Sequence, residues 1–227
     1  MKKTNIDWCD ASLNSVIGCK NGCPYCYARK INDRFHFIDK WDEPQFFPER
    51  LEQLKSKKPK SIFMDSMSDV GWWKPEWGYQ VFDAMSKNPQ HNYIFLTKCK
   101  SGLNNGIGTI WTLRSIDKCR NIFIGMSLTR DDDFNGLEQY DFLSIEPILE
   151  PINLSSLKYN LYVKQVIIGA ETGNRKGKII PKKEWIDDIV KQCDEAKVRV
   201  FMKESLRDIM GEDFRQDELI WSVKNGK

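Results

Sequence analysis

The sequence predicts an α/β fold of repeated β/α units, closed or partly closed into a barrel. Three observations predict it: a short apolar run that recurs along the chain, helix-length segments between most of the runs, and polar residues of chemical potential at the end of nearly every run. At 227 residues and 41% hydrophobic the chain can bury one sizeable core, and α/β barrels of roughly 200 to 250 residues commonly form one domain. No internal repeat, low-complexity stretch or Gly/Ser linker interrupts it, so a single domain over residues 1–227 is expected.

The runs are "NSVIG", "SIFMDSM", "NYIFLTK", "IFIGMSL", "DFLSIEPI", "QVIIGAET" and "VRVFMKE". Each is too short for a helix and too uniformly apolar for a sheet with one wet face, which is the pattern of buried parallel strands. Crossover helices fit between them. Residues 75 to 90 supply one, and 181 to 198 another, with Trp185, Ile186, Ile189, Val190 and Cys193 at helical spacing. The runs end in Asp65 and Ser66, Thr97 and Lys98, Ser127, Ser144 and Glu146, Glu171 and Thr172, and Lys203 and Glu204. An open doubly wound sheet would concentrate function at one switch point. Polar ends on six strands instead favour a TIM-barrel-like arrangement, in which all carboxyl ends converge on one face.

Other features bound the function. No apolar run approaches the about 18 residues of a membrane span, and the start, "MKKTNIDWCDAS", has no apolar segment behind its lysines, so a cytoplasmic protein with no membrane association is expected. A net charge of +3 permits a polyanionic partner without demanding one. Seven cysteines, an odd number, argue against a disulfide framework in a reducing compartment.

Three of those cysteines, Cys19, Cys23 and Cys26, fall together in "VIGCKNGCPYCYA", directly after the first run. Clustered thiolates select zinc, copper(I) or iron-sulfur clusters. A structural zinc site closes with four ligands, and here only Cys9 or His36 is near enough in sequence to be borrowed. Cys99, Cys119 and Cys193 have no second cysteine nearby and read as ordinary residues. A four-iron four-sulfur (4Fe-4S) cluster is normally held by four cysteines; three would leave one iron open to a small molecule bearing an amino and a carboxylate group. Gly18 and Gly22 let the backbone approach closely, Pro24 stiffens the turn, and "YARKINDRF" resumes as a helix.

The spacing Cys19-x3-Cys23-x2-Cys26, with aromatic Tyr25 directly before the last cysteine, resembles the signature of the radical S-adenosylmethionine superfamily. The wider chain also resembles a phage-associated family of uncharacterised proteins. The shared stretches are "NIDWCDASLNSVIGC", "SMSD", "FLTK", "LSIEPIL" and "IIGAETG", in that order over most of residues 5 to 205.

The superfamily resemblance implies a partial (β/α) barrel of about six parallel strands, one 4Fe-4S cluster on the three cysteines and S-adenosylmethionine bound at the open iron. It further implies one-electron cleavage to a 5′-deoxyadenosyl radical and an electron donor such as a flavodoxin or ferredoxin. The backbone of Tyr25 would meet the adenine. Where the superfamily shows Gly-Gly-Glu for the methionine amino group, this chain has "MDSMSD", so Asp65, Ser66 and Ser68 stand at that place. Ser127 and Glu146 are implied contacts to ribose or carboxylate. "VIIGAETG" approximates the adenine-binding element, with Gly169 for backbone approach and Glu171 one step early for a literal match.

Plainer readings stand beside these. Glu146 and Glu171 also suit a structural salt bridge, and Lys98 and Lys203 a solvated strand end or a local ion pair. The cluster Trp72, Trp73, Trp77 and Tyr79 either packs a loop or stacks a nucleobase. Arg175, Lys176, Lys178, Lys182 and Lys183 make a solvated loop or a cationic rim. Together the aromatics and the basic loop lean towards a nucleotide or nucleic-acid base as substrate, and a peptide or small metabolite fits almost as well. Two other classes remain: a zinc-stabilised nucleic-acid-binding module, and a redox-sensing iron-sulfur protein.

Overall fold

The computed structural model describes residues 2–99, 105–117, 119–131 and 140–222, and its backbone is α/β. The chain divides into two compact units, the first running through Phe123 and the second spanning Ile124–Ser222.

The first unit opens with β1 (Lys2–Lys3) and β2 (Ala11–Ser12), paired antiparallel. Next come β3 (Val16–Ile17), α1 (Tyr27–Phe35), β4 (Gln45–Phe46) and a 3-10 helix at Pro48–Lys55. β5 (Ser61–Phe63), a 3-10 turn at Val70–Trp72, α2 (Pro75–Ser86), β6 (Asn92–Thr97) and α3 (Gly106–Asp117) complete it. β2, β5 and β6 are parallel neighbours, in register as Ala11 with Ile62 and Ile62 with Tyr93. β7 (Ile122–Leu128) begins here and continues into the second unit.

The second unit carries β7, β8 (Phe142–Ile145), β9 (Gln165–Ile168) and β10 (Arg199–Met202) as consecutive parallel neighbours. α4 (Lys183–Glu195) crosses from β9 to β10, and the short α5 (Arg207–Met210) follows. Among the described residues, three parallel strands in one unit and four in the other give seven where the superfamily resemblance implies about six. Every residue of β8 and β9 is buried, as uniformly apolar parallel strands require. α4 buries Ile186, Ile189 and Cys193 from the expected apolar stripe. Among the described residues, no helix is long and apolar enough to cross a membrane.

One expectation is corrected. "NSVIG" is not the first parallel strand: Val16–Ile17 pairs antiparallel with Gln45–Phe46 in a separate two-stranded sheet, and β2 is the parallel strand that precedes the cysteine loop. Its apolar side chains have a different use. Ile17 packs with Ala28, Ile38 and Met67, and the partly buried Cys26, Trp41 and Phe47 lie against that cluster. The run is apolar because it floors the loop.

Helix boundaries follow from local chemistry. α1 starts where the Cys26 thiol accepts from the Arg29 N–H at 3.4 Å. It stops at His36, a left-handed residue, with the buried Asn32 side chain bonded to both the N–H and the C=O of Ile38. Pro75 opens α2, where its missing N–H costs nothing. Gly78 lets α2 lie close to α3, since a Cβ there would stand 3.1 Å from the Gly106 carbonyl.

Gly125 in β7 marks a tight packing constraint in the second unit. A Cβ there would sit 2.3 Å from the Phe142 ring, which itself packs edge-on against the buried Trp221 at 4.8 Å. Gly125→Ala must displace that ring, so it should cost about 2 kcal/mol or more by overpacking. Urea denaturation measures it; an unchanged midpoint would contradict this account of the core.

Candidate functional site

Cys19, Cys23 and Cys26 occupy the loop between β3 and α1, and none of the seven cysteines is in a disulfide. Two glycines shape the loop. Gly18 has φ +110, and a Cβ there would stand 2.8 Å from the Pro44 backbone; Gly22 has φ +65. The loop is tied down where it begins: Gly18 N–H donates to the Met67 carbonyl at 3.0 Å and Cys19 N–H to the Trp41 carbonyl at 2.8 Å. Two of the sulfurs receive backbone donors, Cys19 from Asn21 N–H at 3.5 Å and Cys26 from Arg29 N–H at 3.4 Å.

Burial governs these thiols. It pushes Cys19 up to about 12, against the Asn21 N–H and with smaller contributions from Asp69, Cys23 and Cys26. Cys26 is raised by burial too, against the Arg29 N–H. Burial therefore favours the protonated form of Cys19 and Cys26, and a metal would have to displace those protons to bind. Among the described residues, no group of three or more His, Cys, Asp or Glu side chains is gathered around a point where one ion could sit. The thiolates of a cubane each bind a different iron, so they are not ligands to a common point. Cys19, Cys23 and Cys26 are the residues that could hold such a cluster.

The segment after β5 clamps the loop. Tyr27 hydroxyl donates to the Ser66 carbonyl at 2.8 Å, and Gly18 bridges Ser68 in parallel fashion. Ser66 hydroxyl bonds Asn14, and Ser68 hydroxyl accepts from the Trp73 indole at 3.0 Å. Asp65 is buried and accepts from the Val70 and Leu96 N–H groups, both at 3.2 Å. Desolvation, reinforced by Asp69, holds its carboxyl well above the usual range. So the structure brings Ser66 and Ser68 to the cysteine loop, while Asp65 is committed to the backbone beneath it. Lys98 lies over the Tyr25 ring, 5.9 Å from its centroid.

Sequence reasoning missed the residue that organises this region. Asp69 is buried and accepts from Gly71 N–H at 2.9 Å, Thr97 hydroxyl at 2.6 Å, Lys98 N–H at 2.9 Å and Asn21 amide at 2.6 Å. Asn21 also accepts from the Trp72 indole at 2.6 Å and faces the Cys99 thiol at 3.6 Å. The signal available was modest: an Asx residue opening a 3-10 turn, and a cysteine just past a strand end.

The tryptophan cluster divides. Trp73 is core, edge-on to Phe95; Trp77 stacks on Phe46; Trp72 is tied to the cysteine loop and 40% exposed, with Lys20 over its ring. Tyr79 is exposed.

The second unit holds the remaining expected residues. Ser127 is buried on β7, opposite Ser144. Glu146 accepts from Ser144 hydroxyl at 3.3 Å and pairs with Lys203 at 2.8 Å, both side chains about one-fifth exposed. A Cβ at Gly169 would stand 3.0 Å from Lys203 Cδ and 3.3 Å from Glu146 Cγ, so the bare backbone there makes room for this ion pair. Glu171 is buried and takes a bidentate bond from Arg175 at 2.6 and 2.7 Å, which holds its carboxyl below the usual carboxylate range. Arg175 also donates to the Gly177 carbonyl, so this pair fixes the basic loop. Lys183 pairs with Asp187 and Asp213, Lys182 lies over Trp185, and Lys176 and Lys178 stay exposed.

Removing Asp69 would strand four donors that the fold aims at one carboxylate. Asp69→Ala should therefore cost about 3 kcal/mol or more in urea denaturation, and should speed alkylation of native Cys19 and Cys99. A loss under about 1 kcal/mol, within the range of one neutral hydrogen bond, would contradict its role as the hub.

Three comparisons bear on ancestry. No curated protein matches the chain, and no solved structure does. A family model described as a protein of unknown function, DUF5131, matches residues 3–212, nearly the whole chain, and the protein therefore belongs to that family.

Proposed function

We propose that this protein is a radical S-adenosylmethionine enzyme, built on a partial (β/α) barrel and working in the cytoplasm. One observation carries the reading: three free thiols at Cys19-x3-Cys23-x2-Cys26 are presented by one glycine-shaped loop, tied by backbone hydrogen bonds to the chain after a parallel strand. Parallel strands in both units, with polar residues at their carboxyl ends, support the barrel.

In this reading Cys19, Cys23 and Cys26 each hold one iron of a 4Fe-4S cluster and leave the fourth for S-adenosylmethionine. When bound, the cluster supplies the single electron for reductive cleavage, drawn from a donor such as a flavodoxin or ferredoxin. The chain's own work is positional. Asn21 and Asp69 set the loop's height against the end of β6, and the Asn21 and Arg29 N–H groups stabilise charge on the Cys19 and Cys26 sulfurs. Ser66 and Ser68 offer polar contacts beside the loop. Of the strand-end acids, Glu171 is spent on Arg175, whereas Glu146 and Lys203 retain partial exposure and can exchange each other for a ligand's opposite charges. In the first unit, exposed Trp72, tied to the cysteine loop, suits stacking on a nucleotide or nucleic-acid base as substrate.

The zinc alternative loses one of its ligand sets. His36 caps the far end of α1 from Cys26, about 15 Å away along the helix axis, too far to share an ion with it. A redox-sensing cluster protein differs from an enzyme in its product. Anaerobically reconstituted protein, given S-adenosylmethionine and a strong reductant, should form 5′-deoxyadenosine, and Cys26→Ala should not. Equal product from the variant, or iron-loaded wild type that binds no S-adenosylmethionine, would contradict the proposal.

A further inference from the structure

We infer that Cys99 is a fourth thiol of the cysteine site: it ligates the iron left open by Cys19, Cys23 and Cys26 and yields that position when a chelating cofactor enters. The inference rests on the cluster reading above.

Position comes first. Cys99 follows Thr97 and Lys98 at the carboxyl end of β6, and its Sγ donates to Asn21 Oδ1 at 3.6 Å. Asn21 sits inside the cysteine loop, and its own N–H donates to Cys19 Sγ at 3.5 Å. One residue thus touches both thiols, although 78 positions separate it from Cys99 in the chain. Space comes second. A Cβ on Gly71 would fall 2.4 Å from Cys99 Cβ and 2.7 Å from its Sγ, so the absence of a side chain at Gly71 makes the pocket that Cys99 fills. Anchoring comes third. Cys99 N–H donates to Thr97 Oγ1 at 3.0 Å, and that hydroxyl donates to Asp69, the carboxylate that also holds Asn21. Backbone, side chain and facing loop are set by one hydrogen-bonded unit.

The chemistry balances without a redox step. On ligation the Cys99 S–H bond breaks, its proton goes to solvent, and a sulfur–iron bond forms. When an amino and a carboxylate group chelate the iron, that bond breaks and Cys99 regains a proton. The resting site is thereby closed against oxidants that strip an open iron.

The test compares wild type with Cys99→Ala, both anaerobically reconstituted and then treated with mild ferricyanide. Wild type should keep its iron, and the variant should shed about one iron in four, with the electron paramagnetic resonance of a three-iron cluster. Equal shedding by both proteins would overturn the inference alone. If wild type binds no iron, or Cys19→Ala keeps a full cluster, the cluster reading falls and takes the inference with it. If Cys99→Ala fails to fold, iron X-ray absorption of wild type without cofactor decides: only sulfur neighbours are expected beyond iron, and an oxygen or nitrogen neighbour would overturn it.

Discussion

The cysteine region depends on one buried carboxylate. Asp69 gathers donors from the cysteine loop, from the turn after β5 and from the end of β6, and no single element would hold those pieces together. Burying a charge is costly unless it is fully hydrogen-bonded, which is why Asp69 has four donors around it. Its neighbour Asp65 is handled in the opposite way. Desolvation, reinforced by Asp69, holds the Asp65 carboxyl well above the usual range, so burial there opposes a second charge. The four bonds to Asp69 fix the cysteine loop against the turn and the strand end beside it.

The fold was legible where it rests on local pattern. Six apolar runs became parallel strands, and α1, α2 and α4 lie where spacing, Pro75 and the Trp185-to-Cys193 stripe put them. The run "NSVIG" failed because apolarity records burial, not pairing: Val16 and Ile17 are buried against a helix and a loop instead of inside the parallel sheet. The three-cysteine loop was legible because its ligands are close in sequence. Asn21 to Asp69 spans 48 positions and Asp69 to Thr97 spans 28, and polar contacts at such separations leave no periodicity to read. Cys99 was passed over for the same reason.

The two carboxylates at the strand ends of the second unit show how one residue type takes two roles. Glu171 faces a guanidinium in a bidentate fork, a geometry that engages both carboxylate oxygens and organises the loop holding Arg175 and Gly177. Glu146 faces a lysine, a single flexible donor, beside a glycine that leaves both side chains room. Exposure separates them further, since the Glu171 side chain is 3% exposed and that of Glu146 is 19%. Only the second arrangement can exchange partners cheaply.

The central claim, that Cys19, Cys23 and Cys26 hold an iron-sulfur cluster, is tested most directly by metal and acid-labile sulfide analysis of anaerobically reconstituted protein. Wild type and Cys9→Ala should each carry about four irons and four sulfides per chain, and Cys19→Ala, Cys23→Ala and Cys26→Ala should each lose them. Zinc without sulfide in the wild type, or loss of metal in a folded Cys9→Ala variant, would contradict the account.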